Sequence, residues 1–579
     1  MMFLKKSLSI ILLVVLPVCF SFGQDTSNNN NSFELVKNLD IYATLFKELN
    51  TNYVDEINPG ELTKTAIDAM LESLDPYTNY IPESEVEDYK FITTGEYGGI
   101  GALIHQQGEY VVISEPYEGS PAQKSGLMAG DKVLEINGQS AKGKTYSDVS
   151  AILKGQAGTP ITIKILRDGE ENPIEKTITR EVIHIDNIPY SGILDDNIGY
   201  IRLTSFTQNA ASEFRKAFLK LKEQTTLKGL IIDIRGNGGG LLTEAVDITN
   251  LFVDKGQDVV TTKGKLADKN HTYKTTVQAV DPSLPIVVLV DGQSASASEI
   301  LSGALQDLDR AVIIGHRTFG KGLVQNVLPL SFNAQMKVTV AKYYIPSGRC
   351  IQAIDYSHKD KQGNFEKIPD SLITAFKTHN GRTVYEGRGI APDVTTPIVH
   401  FSNIAMALYS KYLIFDFATI FRRTHPSILP ADKFEITDSI FDSFKKYISD
   451  KNYDYKTLSE VTLETLKKNA EKEKYYDSMK PEFEALQAKM SEDKKSDLIK
   501  HQDQIRELLK QEIVTRYYYQ KGKVASSMKN DPDIAVAIKT LNDTATFSSI
   551  LKGTFVSPKP ESDDSSDEED TDTGSDETN

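Results

Sequence analysis

Several things are scarce in this chain of 579 residues, and each scarcity excludes something. There are only two cysteines, Cys19 and Cys350, and Cys19 lies in a segment that reads as a removable leader. Its loss leaves Cys350 alone, so no intrachain disulfide is expected. Beyond the N-terminus no apolar run approaches the ~18 residues that a membrane helix needs. There is no His-Glu-x-x-His, the nine histidines show no ligand-like spacing, and paired cysteines are missing, so no metal site and no cofactor are expected. Basic surplus is missing as well. The net charge is −16, and Glu561 to Asn579 carries ten acids and no base, which leaves −6 for the rest. A mildly acidic body has no footprint for nucleic acid. A hydrophobic fraction of 39% and a charged fraction of 25% exclude both a polytopic membrane protein and a wholly disordered chain. At roughly 100–200 residues per domain the length calls for three to five domains.

What is present begins with a leader-like segment. Lys5 and Lys6 precede the apolar run Leu8 to Phe20, and Ser21-Phe22-Gly23 puts small residues at the −3 and −1 positions. Cleavage after Gly23 and export, to a periplasm, are expected. The rival is a lipoprotein signal at Cys19, but the large Val18 before it fits that poorly. Residues 24–32 read as a polar linker and 33–89 as helical, with Leu35, Leu39, Ile41 and Leu45 at three- and four-residue steps. Residues 90–180 change to short strands and turns. There Gly98-Gly99-Ile100-Gly101 precedes a strand, followed by Gly119-Ser120-Pro121-Ala122, Gly126 to Asp131 and the Asn137-Gly138 turn. In that order these segments resemble a PDZ domain. Residues 181–400 alternate strands with amphipathic helices, the mark of a layered α/β sheet. Residues 401–555 are helical and charged, and 556–579 form an acidic tail expected to be disordered.

Three loops could carry chemistry. Gly292 to Glu299 follows the apolar strand Ile286–Val290 and opens a helix, whose N-terminus directs unpaired N–H groups and a positive dipole end outward. A serine placed there can attack a carbonyl. Equally, Ser296 and Glu299 fit a Ser-x-x-Glu capping box, in which the serine merely ends a helix. A serine needs a base, and no His-Asp pair can be assigned. Lysine serves when burial lowers its pKa from about 10.4 to about 7–8. Lys321, flanked by Gly320 and Gly322 and far from acids in sequence, is the candidate. Gln325 is placed to orient it only if a helical turn lies between them, because an extended strand would separate the two by about 13 Å. Asp233 to Gly240 (DIRGNGGG) offers glycine amides as half of an oxyanion hole, through Gly238, Gly239 or Gly240, with the Ala297 N–H as the other half. Asp233 and Arg235 read as structural.

Taken together, DIRGNGGG, DGQSASASE, GHRTFGKGLVQ, Lys342 to Arg349 and Gly387 to Val394 resemble the carboxyl-terminal processing (tail-specific) peptidases. The helices ending in Ser73-Leu74-Asp75-Pro76-Tyr77 and the PDZ-like insert follow the order of that family. The resemblance spans about 35–400. It implies a Clp protease/crotonase-like α/β core with an inserted PDZ domain and a Ser-Lys dyad. Matched by motif, the nucleophile falls on Ser296, the base on Lys321 and a supporting glutamine on Gln325. It also implies a PDZ domain that takes a substrate C-terminus by strand addition, with Gly98, Gly99, Ile100 and Gly101 around the terminal carboxylate. One departure is Lys154, where many members carry an arginine proposed to sense substrate; lysine lacks its bidentate fork.

The expectation is therefore an exported serine endopeptidase that cuts proteins with apolar C-termini near those ends. The helices at 33–89 and 401–555 offer surfaces for a second copy or an adaptor. The alternative is a non-catalytic PDZ scaffold on the same fold.

Overall fold

The computed structural model describes residues 26–360 and 363–555. The expected leader with its cleavage site, Cys19 and the acidic tail lie outside them. Residues 26–73 form one unit, and the described residues from Leu74 onward form another. The first unit holds the helices Thr26–Asn52 and Pro59–Glu72. Asn58 caps the second helix, accepting from Gly60 N at 3.0 Å, and Pro59 supplies a residue whose missing N–H would have been unpaired in any case. The polar stretch expected to be a linker is helical from Thr26. The expected segment 33–89 is divided as well, because Asp75, Tyr77 and the helix Val86–Thr94 belong to the larger unit.

The centre of the larger unit is a six-stranded sheet. Its order is Tyr190–Leu194, Ile198–Arg202, Gly229–Asp233, Ile286–Val290, Val312–Gly315 and Val394–Thr395, and all pairs but the first are parallel. These strands read as continuous apolar runs because both faces of the sheet are covered. Side chains alternate between the faces. Leu230, Ile232, Ile286, Val288 and Val290 meet Phe214, Phe218, Ala245, Ile300 and Ala304 from three helices. Ile231, Val287, Leu289, Val312 and Ile314 meet Ile534, Ala537, Leu541 and Ile550.

That second cover comes from the end of the segment 401–555, which was expected to be one helical domain. The chain leaves the core, builds a helical domain around Ile414, Phe417, Phe441, Phe444, Ile505, Leu509 and Ile513, and then returns. The helices Pro532–Asn542 and Thr544–Leu551 lie on the peptidase sheet, not in the helical domain. Gly229 makes the approach possible, since a Cβ there would stand 2.9 Å from a Leu541 methyl. Among the described residues no single helix is long and apolar enough to cross a membrane.

A second sheet joins Asn79–Ile81, Gln335–Tyr344, Asp258–Gly264 and His271–Lys274, with Leu323–Pro329 on the other side of Gln335–Tyr344. The PDZ-like body is a six-stranded antiparallel sheet within residues 102–179, with the helix Tyr146–Leu153 alongside strand Ala102–Gln107. It is tied to the core by Glu96–Gly99 paired with Glu181–His184.

Leu541 is 5% exposed and fills the space above Gly229. Truncation to alanine leaves a cavity, and the expected loss is about 2–5 kcal/mol. Denaturant unfolding of Leu541→Ala followed by a core probe measures it, and the midpoint should fall.

Candidate active site

The strand Ile286–Val290 runs into a turn and then the helix Ala297–Asp307, every residue of which is buried. Ser296 stands at the helix entrance with φ 57° and ψ −112°. Such a backbone is strained for a residue with a Cβ and persists only where surrounding bonds hold it. They are present. Ser296 N donates to Glu299 Oε2 at 2.9 Å, and Ser294 Oγ and Ser298 Oγ donate to the carbonyls of Ile234 and Asn237 at 2.9 and 2.8 Å. The neighbours of Ser296 are thus committed to structure.

Glu299 does far more than cap. It is fully buried, and its Oε1 accepts from Thr318 Oγ1 at 2.6 Å and Gly320 N at 2.8 Å. Its Oε2 accepts from both Ser296 N and Lys321 N, each at 2.9 Å. Two amides on one oxygen are separated by at most twice that distance, so the main chains of Ser296 and Lys321 are neighbours although 25 residues apart in sequence. Tyr343 repeats the link on the carbonyl side, with its hydroxyl against Lys321 O and 3.1 Å from Ser296 O. Burial pushes the Glu299 carboxyl up to about 7 despite its four donors.

The Lys321 ammonium lies 4.2 Å above the Tyr77 ring. Among the described residues it makes no ion pair, and it does not hydrogen-bond to Ser296 Oγ in this conformation. Burial, followed by the nearby Lys337, lowers its pKa to about 8, outweighing the opposite pull of Glu299 and Asp75. That is a bias of roughly 3 kcal/mol against the cation relative to water. Tyr77 is held by Asp75, which accepts from Tyr77 N and Thr78 N, each at 2.8 Å.

Gln325 does not orient the amine. The helical turn this required is absent: Leu323–Pro329 is a strand, with a bulge between Val324 and Gln325. The Gln325 amide donates to Thr339 Oγ1 at 3.2 Å, and Thr339 N donates to Thr78 Oγ1 at 3.2 Å. Gln325 therefore supports the loop that carries Tyr77.

The glycine loop faces the serine. A Cβ on Gly239, at φ +101°, would lie 2.8 Å from Ser296 Cβ and 2.9 Å from Ala297 N, so only glycine fits. The Gly239 amide is spent on Asn237 Oδ1 at 2.9 Å. The amides of Ala297, Gly238 and Gly240 have no acceptor among the described residues and remain open to an oxyanion. Asp233 sets the root of this loop. Burial alone would raise its pKa, but Arg235 and Arg202 outweigh it and hold the carboxylate well below the usual range. In the PDZ-like body, Gly98 and Gly99 end a strand, while Ile100 and Gly101 link it to Ala102–Gln107. That strand pairs only on its Tyr110–Pro116 side among the described residues, which leaves its other edge free. Lys154 pairs with Asp88 at 2.7 Å.

Comparison with known proteins bears on this arrangement. Residues 197–357 match Peptidase family S41, 112–167 the PDZ domain and 404–541 the "Probable PDZ-protease, C-terminal helical domain". A carboxy-terminal-processing protease of Bartonella bacilliformis is 36% identical over 332 residues, covering 57% of this chain and 75% of its own. The chain belongs to the carboxy-terminal processing proteases of peptidase family S41. The carboxy-terminal processing protease CtpA of Bacillus subtilis is 33% identical over 337 residues, covering 58% and 71%. Among solved structures, the photosystem II D1 C-terminal processing protease is 28% identical and covers 61% of this chain and 92% of its own, with a TM-score of 0.34. The family match and the two relatives make the chain a serine-type protease with a PDZ domain, and the scaffold alternative is disfavoured. Sequence reasoning met Glu299 only as a cap and gave Tyr77 and Tyr343 no role. The one usable signal was their place within the motifs.

Gly239→Ala should push the glycine loop away from Ser296 and the Ala297 amide and reduce kcat at least ~100-fold, the scale of losing one oxyanion donor. Steady-state peptide cleavage checks it.

Proposed function

We propose that this chain is an exported, periplasmic endopeptidase that cleaves proteins near apolar C-termini through a Ser296–Lys321 acyl-enzyme. The observation that carries the proposal is the shared Glu299 oxygen, which sets the two main chains side by side next to a half-buried amine that has no ion partner among the described residues. The sequence of events follows from the groups present. The flexible lysine stem swings its neutral amine from the Tyr77 ring to the Ser296 hydroxyl. Catalytic hydrogen bonds in a free enzyme commonly tighten only on substrate binding. Lys321 Nζ takes the hydroxyl proton as Ser296 Oγ attacks the scissile carbonyl. The amides of Ala297 and of Gly238 or Gly240 receive the oxyanion. Lys321 returns the proton to the leaving amine, and water, deprotonated by the same amine, frees the acyl group.

Recognition is assigned to the PDZ domain. A substrate tail adds to the free edge of Ala102–Gln107 beside the helix Tyr146–Leu153, and its carboxylate meets the turn after Gly98 and Gly99, at Ile100 and Gly101. The leader, with cleavage after Gly23, supports export.

The test is cleavage of a protein with an apolar tail. Ser296→Ala should abolish it, and so should Lys321→Arg, because arginine stays charged. Amidating the tail should raise KM. In the wild type, kcat/KM should fall about tenfold per pH unit below the Lys321 pKa of about 8 and level off above it, since only the neutral amine is a base. An active Lys321→Arg enzyme, or a flat profile from pH 6 to 9, would remove lysine from the mechanism.

A further inference from the structure

Arg235 opens the oxyanion loop, and its guanidinium meets three carboxylates. Asp233, completely buried, accepts from its Nε at 3.0 Å and Nη2 at 2.7 Å. The other two come from the far end of the chain. Asp533 Oδ2 accepts from Nη1 at 2.8 Å, and Asp531 lies 3.1 Å from Nη1 and 2.8 Å from Nη2. Asp531 is also the N-cap of the returning helix Pro532–Asn542, accepting from Asp533 N at 2.9 Å and Ile534 N at 3.2 Å. That helix is fixed to the sheet by Ile534, Ala537 and Leu541. The Arg235 main chain is held too, with its carbonyl accepting from Arg202 at 2.6 Å. The next residue, Gly236, donates to Asp291 at 2.9 Å, and the loop then reaches Gly239 against Ser296.

We propose that Asp531 and Asp533 are positioning residues of the peptidase reaction: by bracing Arg235 from the returning helix, they fix the Gly236–Gly240 loop against Ser296 and make the last helices part of the catalytic apparatus. Asp233 is shared between Arg235 and Arg202, so the helix carboxylates complete the charge balance of the pair, and they also add direction. The guanidinium is gripped from the strand end on one side and from the capped helix on the other, and carboxylate–guanidinium bonds of this kind are strong and geometrically selective. Neither aspartate touches the reacting atoms. The catalytic consequence rests on the Ser-Lys reading above; the bracing itself does not.

The experiment uses the full chain carrying Asp531→Asn and Asp533→Asn together, with Asp533→Asn alone as a milder second variant that leaves the cap untouched. Asparagine caps a helix as well as aspartate does, so the helix survives while its charge is lost. Hydrogen–deuterium exchange should quicken at least tenfold across 236–241 and stay unchanged across 537–541. For peptide cleavage, kcat should fall at least tenfold with KM within twofold; a smaller folded fraction would also lower apparent kcat, and the unchanged exchange across 537–541 separates the two. Unchanged exchange at 236–241 in both variants overturns the bracing, whatever the activity. Faster exchange with unchanged kcat overturns the catalytic role. A wild-type chain that cleaves nothing would defeat the Ser-Lys reading and leave the exchange result still decisive for the brace.

Discussion

A single buried carboxylate organises the active site. Glu299 collects four donors from three segments: the nucleophile turn, Thr318 and the Gly320-Lys321 turn. A charge in that position would be costly without those bonds, and each bond would be idle without the charge. The carboxylate therefore converts two remote glycine-rich turns into one fixed unit. Its raised pKa, about 7, couples that unit to pH in a definite direction. Deprotonated, it accepts from all four donors; protonated, it gives up part of that capacity.

The amine is treated in the opposite way. The Lys321 amine lies against the Tyr77 ring, and among the described residues no carboxylate pairs with it. Burial disfavours the cation, and the ring face supports whatever cation remains. The site thus stores a base near neutrality while the acid beside it spends its acceptors on main-chain amides. Separate use of the two groups is what prevents an ordinary ion pair, which would hold the lysine charged.

Much of this was legible in the sequence, and the reasons are particular. Strands such as Ile286–Val290 were readable because they are buried on both faces and carry no polar interruption. Lys321 was accessible to reasoning because flanking glycines and distant acids are local facts. The failures all involve distance along the chain. Tyr77 reaches Lys321 from 244 residues away, and no local pattern states that. The helix Pro532–Asn542 has the same charged, helical character as its neighbours, so its return to the sheet opposite Gly229 is invisible until the fold is known. Gln325 was misjudged because a bulged strand, not a helical turn, follows the lysine. The polar run after residue 24 lacked an apolar periodicity, yet it is helical from Thr26.

The most direct measurement is a pH titration of the Lys321 side chain itself, by NMR of labelled lysine Cε and Nζ nuclei, with the resonance assigned by its loss in Lys321→Arg. A midpoint near 8 is expected, set apart from the surface lysines near 10.4. A midpoint at or above 10 would mean that the amine stays charged at neutral pH and does not serve Ser296 as its base.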